Sequence, residues 1–311
     1  QDTLVVGGYS GTGKTEFVTH IACHNALLGK KVYFYALEAE HLEIERRIQY
    51  KLMQKHFFAD PNRPRIDLDP VRVRYGDDPE LYTYDLMAQK EREEKFKNLF
   101  TYYNQTSGFN ATDLVREFTG AASDGADLII IDHAHYFDWG DKTENEGLRE
   151  VITKTRDLNL QYKVPVIMVA HLRKSDKQWG YLAPTLEDFH GSSEIYKRAT
   201  KAILLGPGEY DGATRTSTTY VNVAKVRGRG EATQIIAEMK WSFERNMYTK
   251  EYSVGKNKQK RGGGFEPLEG SAVPRWCTSA ICNHNQDVAN QSKVSTHKNG
   301  PKSSLPVPYK D

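Results

Sequence analysis

Gly8-Tyr-Ser-Gly-Thr-Gly13-Lys14-Thr15 fits the pattern G-x-x-x-x-G-K-[ST], and its flanks decide how the rest of the chain is read. Before it, Leu4–Gly7 is a short apolar run that reads as a buried strand. After it, residues 14–28 carry a helical pattern. A phosphate-binding loop works in that position, between a strand and a helix. Backbone N–H groups of Gly8, Ser10, Gly11, Thr12 and Gly13 would cradle phosphate oxygens, and the helix N-terminus adds positive dipole. Lys14 would reach the outer phosphates, and the Thr15 hydroxyl would ligate Mg²⁺. The competing reading is an ordinary glycine-rich turn. At average residue frequencies a chance match in a chain this long is on the order of one in a hundred, so phosphate binding is preferred.

Working outward, apolar runs of four to eight residues alternate with longer periodic stretches. The strand candidates are Leu4–Gly7, Lys31–Leu37, Leu99–Tyr103, Leu128–Asp132, Val164–Ala170 and Ala202–Leu205. Helical patterns fall at about 14–28, 40–58, 81–97, 111–123, 144–162 and 191–199. That alternation predicts class α/β, with βαβ units around a parallel sheet. After Leu205 the pattern changes to Thr218–Val226, Thr233–Met239 and Met247–Tyr252, read as antiparallel strands added to the sheet's edge. One domain is expected over residues 1–254.

Hydrolysis needs more than a phosphate loop. Leu128-Ile-Ile-Ile-Asp132 ends four apolar residues in a carboxylate, the Walker-B arrangement, from which Asp132 would hold Mg²⁺ through water. Strand Lys31–Leu37 delivers Glu38 to the same sheet edge, where it would act as general base on the attacking water. Glu40 is its competitor, and either acid could instead favour the start of the next helix. Val164–Ala170 delivers His171, which would hydrogen-bond the γ-phosphate or be satisfied by local backbone. The loop that follows carries Arg173, Lys174, Lys177 and Trp179, suited to contacts with single-stranded nucleic acid or to simple solvation. Lys225 and Arg227, two residues apart on one face of a late strand, suit either an arginine finger reaching a neighbouring subunit or a basic edge strand.

Composition sets the outer limits. With 38% hydrophobic and 27% charged residues in 311, the chain can bury a core, which excludes wholesale disorder and collagen-like repeats. Three cysteines are too few for a disulfide framework. No apolar run approaches the ~18–20 residues of a membrane span, so a cytoplasmic protein without membrane partners is expected. The net charge of +2 is uneven: residues 255–311 hold nine Lys/Arg against four Asp/Glu, leaving the remainder slightly acidic. Residues 255–311 lack periodicity and read as a disordered basic tail. Cys277, Cys282, His284 and His297 within it match no usual zinc spacing. The chain begins at Gln1, almost on a core strand, so a preceding segment is expected.

These motifs, in this order, resemble the RecA-like core of DnaB-type (superfamily 4) replicative helicases from about Asp2 to Tyr252. Tyr35-Ala-Leu-Glu38, with Arg46-Arg47 shortly after, is similar to the family's "SLEM" strand end. Ile131-Asp132-His-Ala-His-Tyr136 resembles its Walker-B strand, and Val169-Ala-His171-Leu-Arg173 its "S-Q-L-x-R" sensor. Leu186-Glu-Asp-Phe-His-Gly191-Ser-Ser-Glu-Ile195 is similar to "L-S-D-L-R-E-S-G-S-I-E", and Val223-Ala-Lys225-Val-Arg227 to "I-A-K-Q-R-N-G". The resemblance implies a RecA-like P-loop NTPase core that couples hydrolysis of ATP, with Mg²⁺, to translocation on single-stranded DNA. It also implies a self-assembled ring, usually a hexamer, with ATP at each subunit junction. Lys14, Thr15 and Asp132 would bind nucleotide and Mg²⁺, Glu38 would be the base, His171 the sensor, and Lys225 with Arg227 would act in trans. Primase or loader contacts would run through an N-terminal region. His171 in place of the usual Gln, and His190 in place of an acid, point toward a phage or plasmid version. The alternatives are a RecA/RadA-like recombination ATPase and a regulatory P-loop ATPase that binds no DNA.

Overall fold

A computed structural model describes residues 2–66, 68, 79–104, 108–172, 179–180, 183–189, 193–228, 235–258, 260–261 and 264–268. The first half runs β1 (Thr3–Gly8), α1 (Lys14–Leu27), β2 (Val32–Ala36), α2 (Glu43–Ala59), α3 (Tyr82–Lys95), β3 (Leu99–Tyr103), α4 (Ala111–Ser123) and β4 (Leu128–Asp132). Then come α5 (Glu144–Tyr162), β5 (Val166–His171), β6 (Trp179–Gly180), α6 (Ser193–Arg198), β7 (Lys201–Asp211), β8 (Thr216–Val226) and β9 (Ile235–Ser242). The chain closes with β10 (Met247–Lys258), β11 (Lys260–Arg261) and β12 (Gly264–Pro267).

Among the described residues, ten strands form one sheet in the order β12-β10-β9-β8-β7-β1-β5-β4-β2-β3. From β7 to β3 the pairings are parallel, and from β7 outward through β12 they are antiparallel. The expected class, a mostly parallel sheet with antiparallel C-terminal strands, is what the chain adopts. Alternation along each buried strand sorts side chains to two faces. Tyr33, Tyr35, Ile129 and Ile131 join Leu114 and Phe118 of α4 and Val151 and Ile152 of α5. Val32, Phe34, Leu128 and Ile130 face the other way, onto Val18 and Ala22 of α1 and Ile44, Ile48 and Phe57 of α2. The four-residue spacing of Val18, Ala22 and Ala26, and of Ile44 and Ile48, puts one stripe of each helix on the sheet. Capping boxes start α4 at Asn110 and α5 at Thr143, each worth about 1 kcal/mol.

The expected limit at residue 254 does not coincide with the end of the sheet. β10 continues to Lys258, β12 pairs with it, and the compact unit closes at Pro267. The Lys-, Asn- and Gly-rich composition reads as a solvated tail, yet two of its residues are packed. Asn257 is buried and its side-chain amide is satisfied twice, donating to the Ala183 carbonyl at 2.9 Å and accepting from the Ala183 N–H at 3.3 Å. At Gly255 a Cβ would lie 2.5 Å from the Glu266 carbonyl oxygen, so only glycine lets β12 close in. Residues 269–311, with the Cys277, Cys282, His284 and His297 set, lie outside the described residues. Among the described residues, no helix is long and apolar enough to cross a membrane.

Candidate functional site

Register brings four motifs together. Gly8 pairs with His171 across β1 and β5, and Ala36 pairs with Asp132 across β2 and β4. Because these strands are parallel, their carboxyl ends share one edge, and the loop after β1 opens there. The backbone N–H groups of Leu37 and Glu38 both reach the Asp132 carbonyl, at 2.6 and 3.3 Å, fixing the turn that presents Glu38. Lys14, Thr15, Glu38, Asp132, Tyr136 and His171 line a cleft of about 510 Å³ together with the loop.

Within the loop, Gly11 and Gly13 adopt left-handed φ of 77° and 80°, a conformation that turns consecutive N–H groups inward and that side chains resist. Thr12 ties the loop to itself, its hydroxyl donating to the Tyr9 carbonyl at 2.8 Å. Lys14 is buried and donates to the same carbonyl at 2.9 Å, and it approaches His171 Nδ1 at 3.3 Å. Burial pulls the Lys14 pKa down, opposed by the nearby Asp132 and Glu38 carboxylates. The α1 helix behind the loop is braced by ion pairs at Glu16: Arg47 of α2, itself paired with Glu43 one turn earlier, holds Glu16, and Lys51 meets Glu16 at 2.6 Å.

Asp132 is the most constrained acid of the cluster. It is 3% exposed, and burial pushes its pKa up to about 6, against a stabilising hydrogen bond from Thr15. Its Oδ1 is buried with no hydrogen-bond partner. A buried carboxylate oxygen left unsatisfied beside a threonine hydroxyl is a hard-oxygen donor set that fits Mg²⁺. Asp132→Asn should therefore raise the melting temperature of the protein by about 2–4 °C, because the amide removes an uncompensated buried charge. The same substitution should abolish the added stabilisation by Mg–ATP. Thermal melts with and without Mg–ATP check both, and a lower melting temperature for the variant alone would mean the charge is already compensated.

Glu38 remains partly open, its side chain 44% exposed, and burial raises its pKa while Lys14 opposes the shift. Its Oε2 lies 2.8 Å from His133 Nε2 and 3.8 Å from His171 Nε2. The two histidine Nε2 atoms approach each other at 2.7 Å. These three ligand-type atoms lie within 4.8 Å of one another. A metal-bound neutral imidazole, however, donates its other N–H to an acceptor. Here His133 Nδ1 accepts from the His135 backbone N–H at 3.1 Å, and His171 Nδ1 faces the Lys14 ammonium. Both second shells present donors, an arrangement that favours a hydrogen-bonded group over metal ligation. His133 was not among the sequence-derived candidates. Its signal was its place directly after Asp132, but that spacing does not reveal that it lies beside Glu38.

The remaining candidates lie elsewhere. β8 runs antiparallel to β7 and ends next to Thr200, so exposed Arg227 sits at the amino-terminal edge of the parallel strands, opposite the cleft. Lys225 is bound within its own chain, donating to the Tyr196 carbonyl at 2.5 Å and the Lys197 carbonyl at 3.2 Å, at the end of α6. Glu40 lines the cleft beyond Glu38. Arg173, Lys174, Lys177 and His190 lie outside the described residues, and Trp179 is described as backbone of β6, paired with Arg261.

Comparison with known proteins bears on the same span. The model of the DnaB-like helicase C terminal domain family matches residues 1–249. No curated protein matches. Among solved structures, one described as an ATPase domain is similar with a TM-score of 0.63 at 15% identity, covering 80% of this chain and 84% of that one. A DnaB-like replicative helicase, described with its interactions with primase, gives 0.61 at 14% identity, covering 79% of this chain and 57% of that one. A KaiC-like protein, PH0186 from the hyperthermophilic archaeon Pyrococcus horikoshii OT3, gives 0.51 at 16% identity, covering 80% and 88%.

Proposed function

The chain belongs to the DnaB-like helicase C-terminal domain family and is an ATP-hydrolysing domain of a replicative DNA helicase, and we propose that the residues converging on the loop after β1 carry its chemistry. The observation that supports this reading is the shared edge of β1, β5, β4 and β2, which gathers Lys14, His171, Asp132 and Glu38 around one cleft. ATP is the substrate. The loop N–H groups hold its β-phosphate, and Lys14 exchanges the Tyr9 carbonyl for phosphate oxygens. Thr15, and Asp132 through water, would hold Mg²⁺, which would supply charge neutralisation to the phosphates. Glu38 takes a proton from water as the water oxygen bonds to the γ-phosphorus. The bond from that phosphorus to the bridging oxygen breaks, and its electron pair stays on the β-phosphate. His171, between Lys14 and Glu38, senses whether the γ-phosphate is present.

We assign Arg227 to the neighbouring subunit's cleft, in a ring of six copies, with Lys225 supporting the strand that carries it. Arg173, Lys174 and Lys177, which follow β5 in the sequence, contact single-stranded DNA, and primase or a loader is a further partner. A cytoplasmic setting follows from a replicative role. The family favours this motor over a recombination filament or a DNA-independent regulatory ATPase. Steady-state ATP hydrolysis with and without single-stranded DNA tests the coupling. Stimulation of several-fold is expected, lost when Arg173, Lys174 and Lys177 are changed together to Ala. Hydrolysis that ignores DNA would overturn the DNA-driven reading.

A further inference from the structure

We infer that His133 is a positioning residue for hydrolysis, its Nε2–H holding the Glu38 carboxylate in place for the attacking water. The inference rests on the reading of Glu38 as the base, and begins from the imidazole's proton count. His133 Nδ1 accepts the backbone N–H of His135 at 3.1 Å, so that nitrogen carries no proton. The ring is buried, only 2% exposed. An imidazole whose Nδ1 is bare carries its proton on Nε2. That nitrogen lies 2.8 Å from Glu38 Oε2, so the contact is an N–H donated to a carboxylate and not an ion pair.

The ring cannot easily turn away. It stands edge-on to Tyr136 at 5.2 Å, to His171 at 4.1 Å and to His135 at 5.5 Å between ring centres. Glu38, by contrast, lies two residues beyond β2 with a partly exposed side chain. A long carboxylate on such a turn samples several rotamers unless a fixed donor selects one. His133 supplies that donor from the strand carrying Asp132, so acid and base are set relative to each other by one rigid β4 exit.

The contact on the other side links the arrangement to the phosphates. His171 Nε2 lies 2.7 Å from His133 Nε2, and His171 Nδ1 lies 3.3 Å from the Lys14 ammonium. His171 alone separates the His133–Glu38 pair from the lysine that reaches the phosphates.

The test uses the protein with ATP, Mg²⁺ and single-stranded DNA, comparing His133→Leu, His133→Gln and Glu38→Gln, with His133→Leu also made in the Glu38→Gln background. His133→Leu removes the donor at similar volume, and a fall in kcat of about 10²-fold is expected, with KM and binding of a fluorescent ATP analogue unchanged. His133→Gln, whose amide reaches a similar point, should recover most of it. In the Glu38→Gln background His133→Leu should cost nothing further, since a positioning group has no effect once its target is gone. An unchanged kcat for His133→Leu overturns the inference. So do equal losses in Leu and Gln variants accompanied by weaker nucleotide binding and a lower melting temperature, which mark a packing role. If Glu38→Gln itself hydrolyses ATP normally, the reading of Glu38 as base fails. If Glu38→Gln is inactive but His133 loses nothing, the positioning role alone fails.

Discussion

Glu38→Gln is expected to lower steady-state ATP turnover by a factor of about 10²–10⁴ while leaving nucleotide affinity near that of the unmodified protein. The two halves of that expectation have separate causes. Gln keeps the shape of Glu and an oxygen that can accept the His133 N–H, so the turn after β2 and the cleft around it are preserved. What disappears is the ability to take a proton from water, a loss confined to the transition state and therefore read in kcat. Glu38 suits the task electrostatically. Burial raises its pKa above the ordinary carboxylate value, making it a better base, while Lys14 opposes the shift. Glu40 is the control, because it lines the same cleft and was the rival candidate from sequence. Its backbone N–H donates to Glu43 Oε2 at 3.1 Å, in the turn leading into α2. Glu40→Gln should change turnover by no more than a few-fold. Turnover assays paired with equilibrium binding of a fluorescent nucleotide decide the matter. The reverse pattern, with Glu40→Gln inactive and Glu38→Gln active, would move the base two residues along.

How much of this was legible in the sequence depends on how local each signal is. The loop Gly8–Thr15 needs one strand, one turn and one helix start, all adjacent in the chain, so its spacing identifies it. The acid at the end of β4 and the acid after β2 are equally local signals, and parallel strands in one sheet must end on the same side. The contact between His133 and Glu38 is of another kind. It depends on β2 lying directly beside β4, and β4 beside β5, an order that the spacing of apolar runs does not contain. The C-terminal strands show a second limit. Asn257 and Gly255 belong to a composition that marks a solvated tail, and only the return of β12 along β10, with Ala183 as a partner for Asn257, makes them structural. Polar residues satisfied across long sequence distances carry no periodic signature. Lys225 illustrates the converse case: its place on the strand was readable, but its ammonium is occupied by the carbonyls ending α6.

Arg227→Ala should be the other severe substitution, with turnover lower by about 10³-fold or more, as for loss of an arginine finger. The geometry makes the direction of its action testable. Leu205 pairs with Gly8 at the edge where the phosphate loop opens, whereas the Arg227 N–H bonds the Thr200 carbonyl at 2.8 Å. Five residues along β7 separate those two points, a run of roughly 16 Å before the loop itself is crossed. Arg227 therefore lies at the sheet edge opposite its own cleft, as the proposed action on a neighbouring copy requires. Lys14→Ala, which removes the phosphate-binding cation, and Arg227→Ala should each be inactive alone. Mixed in equal amounts, about a quarter of the junctions in a closed ring would pair the intact loop of one with the intact Arg227 of the other. Measurable hydrolysis should reappear in the mixture, in proportion to those junctions. A finger acting within one chain would give none, since every copy would still lack one of its two cations. Lys225→Ala separates the structural contribution of the strand from that of the finger. Losing its bonds to Tyr196 and Lys197 loosens α6, so its loss should appear as a lower melting temperature and should not be rescued by mixing. Rescue of Arg227→Ala without rescue of Lys225→Ala would leave Arg227 as the residue that acts across the junction, and Lys225 as the residue that holds the strand end in place.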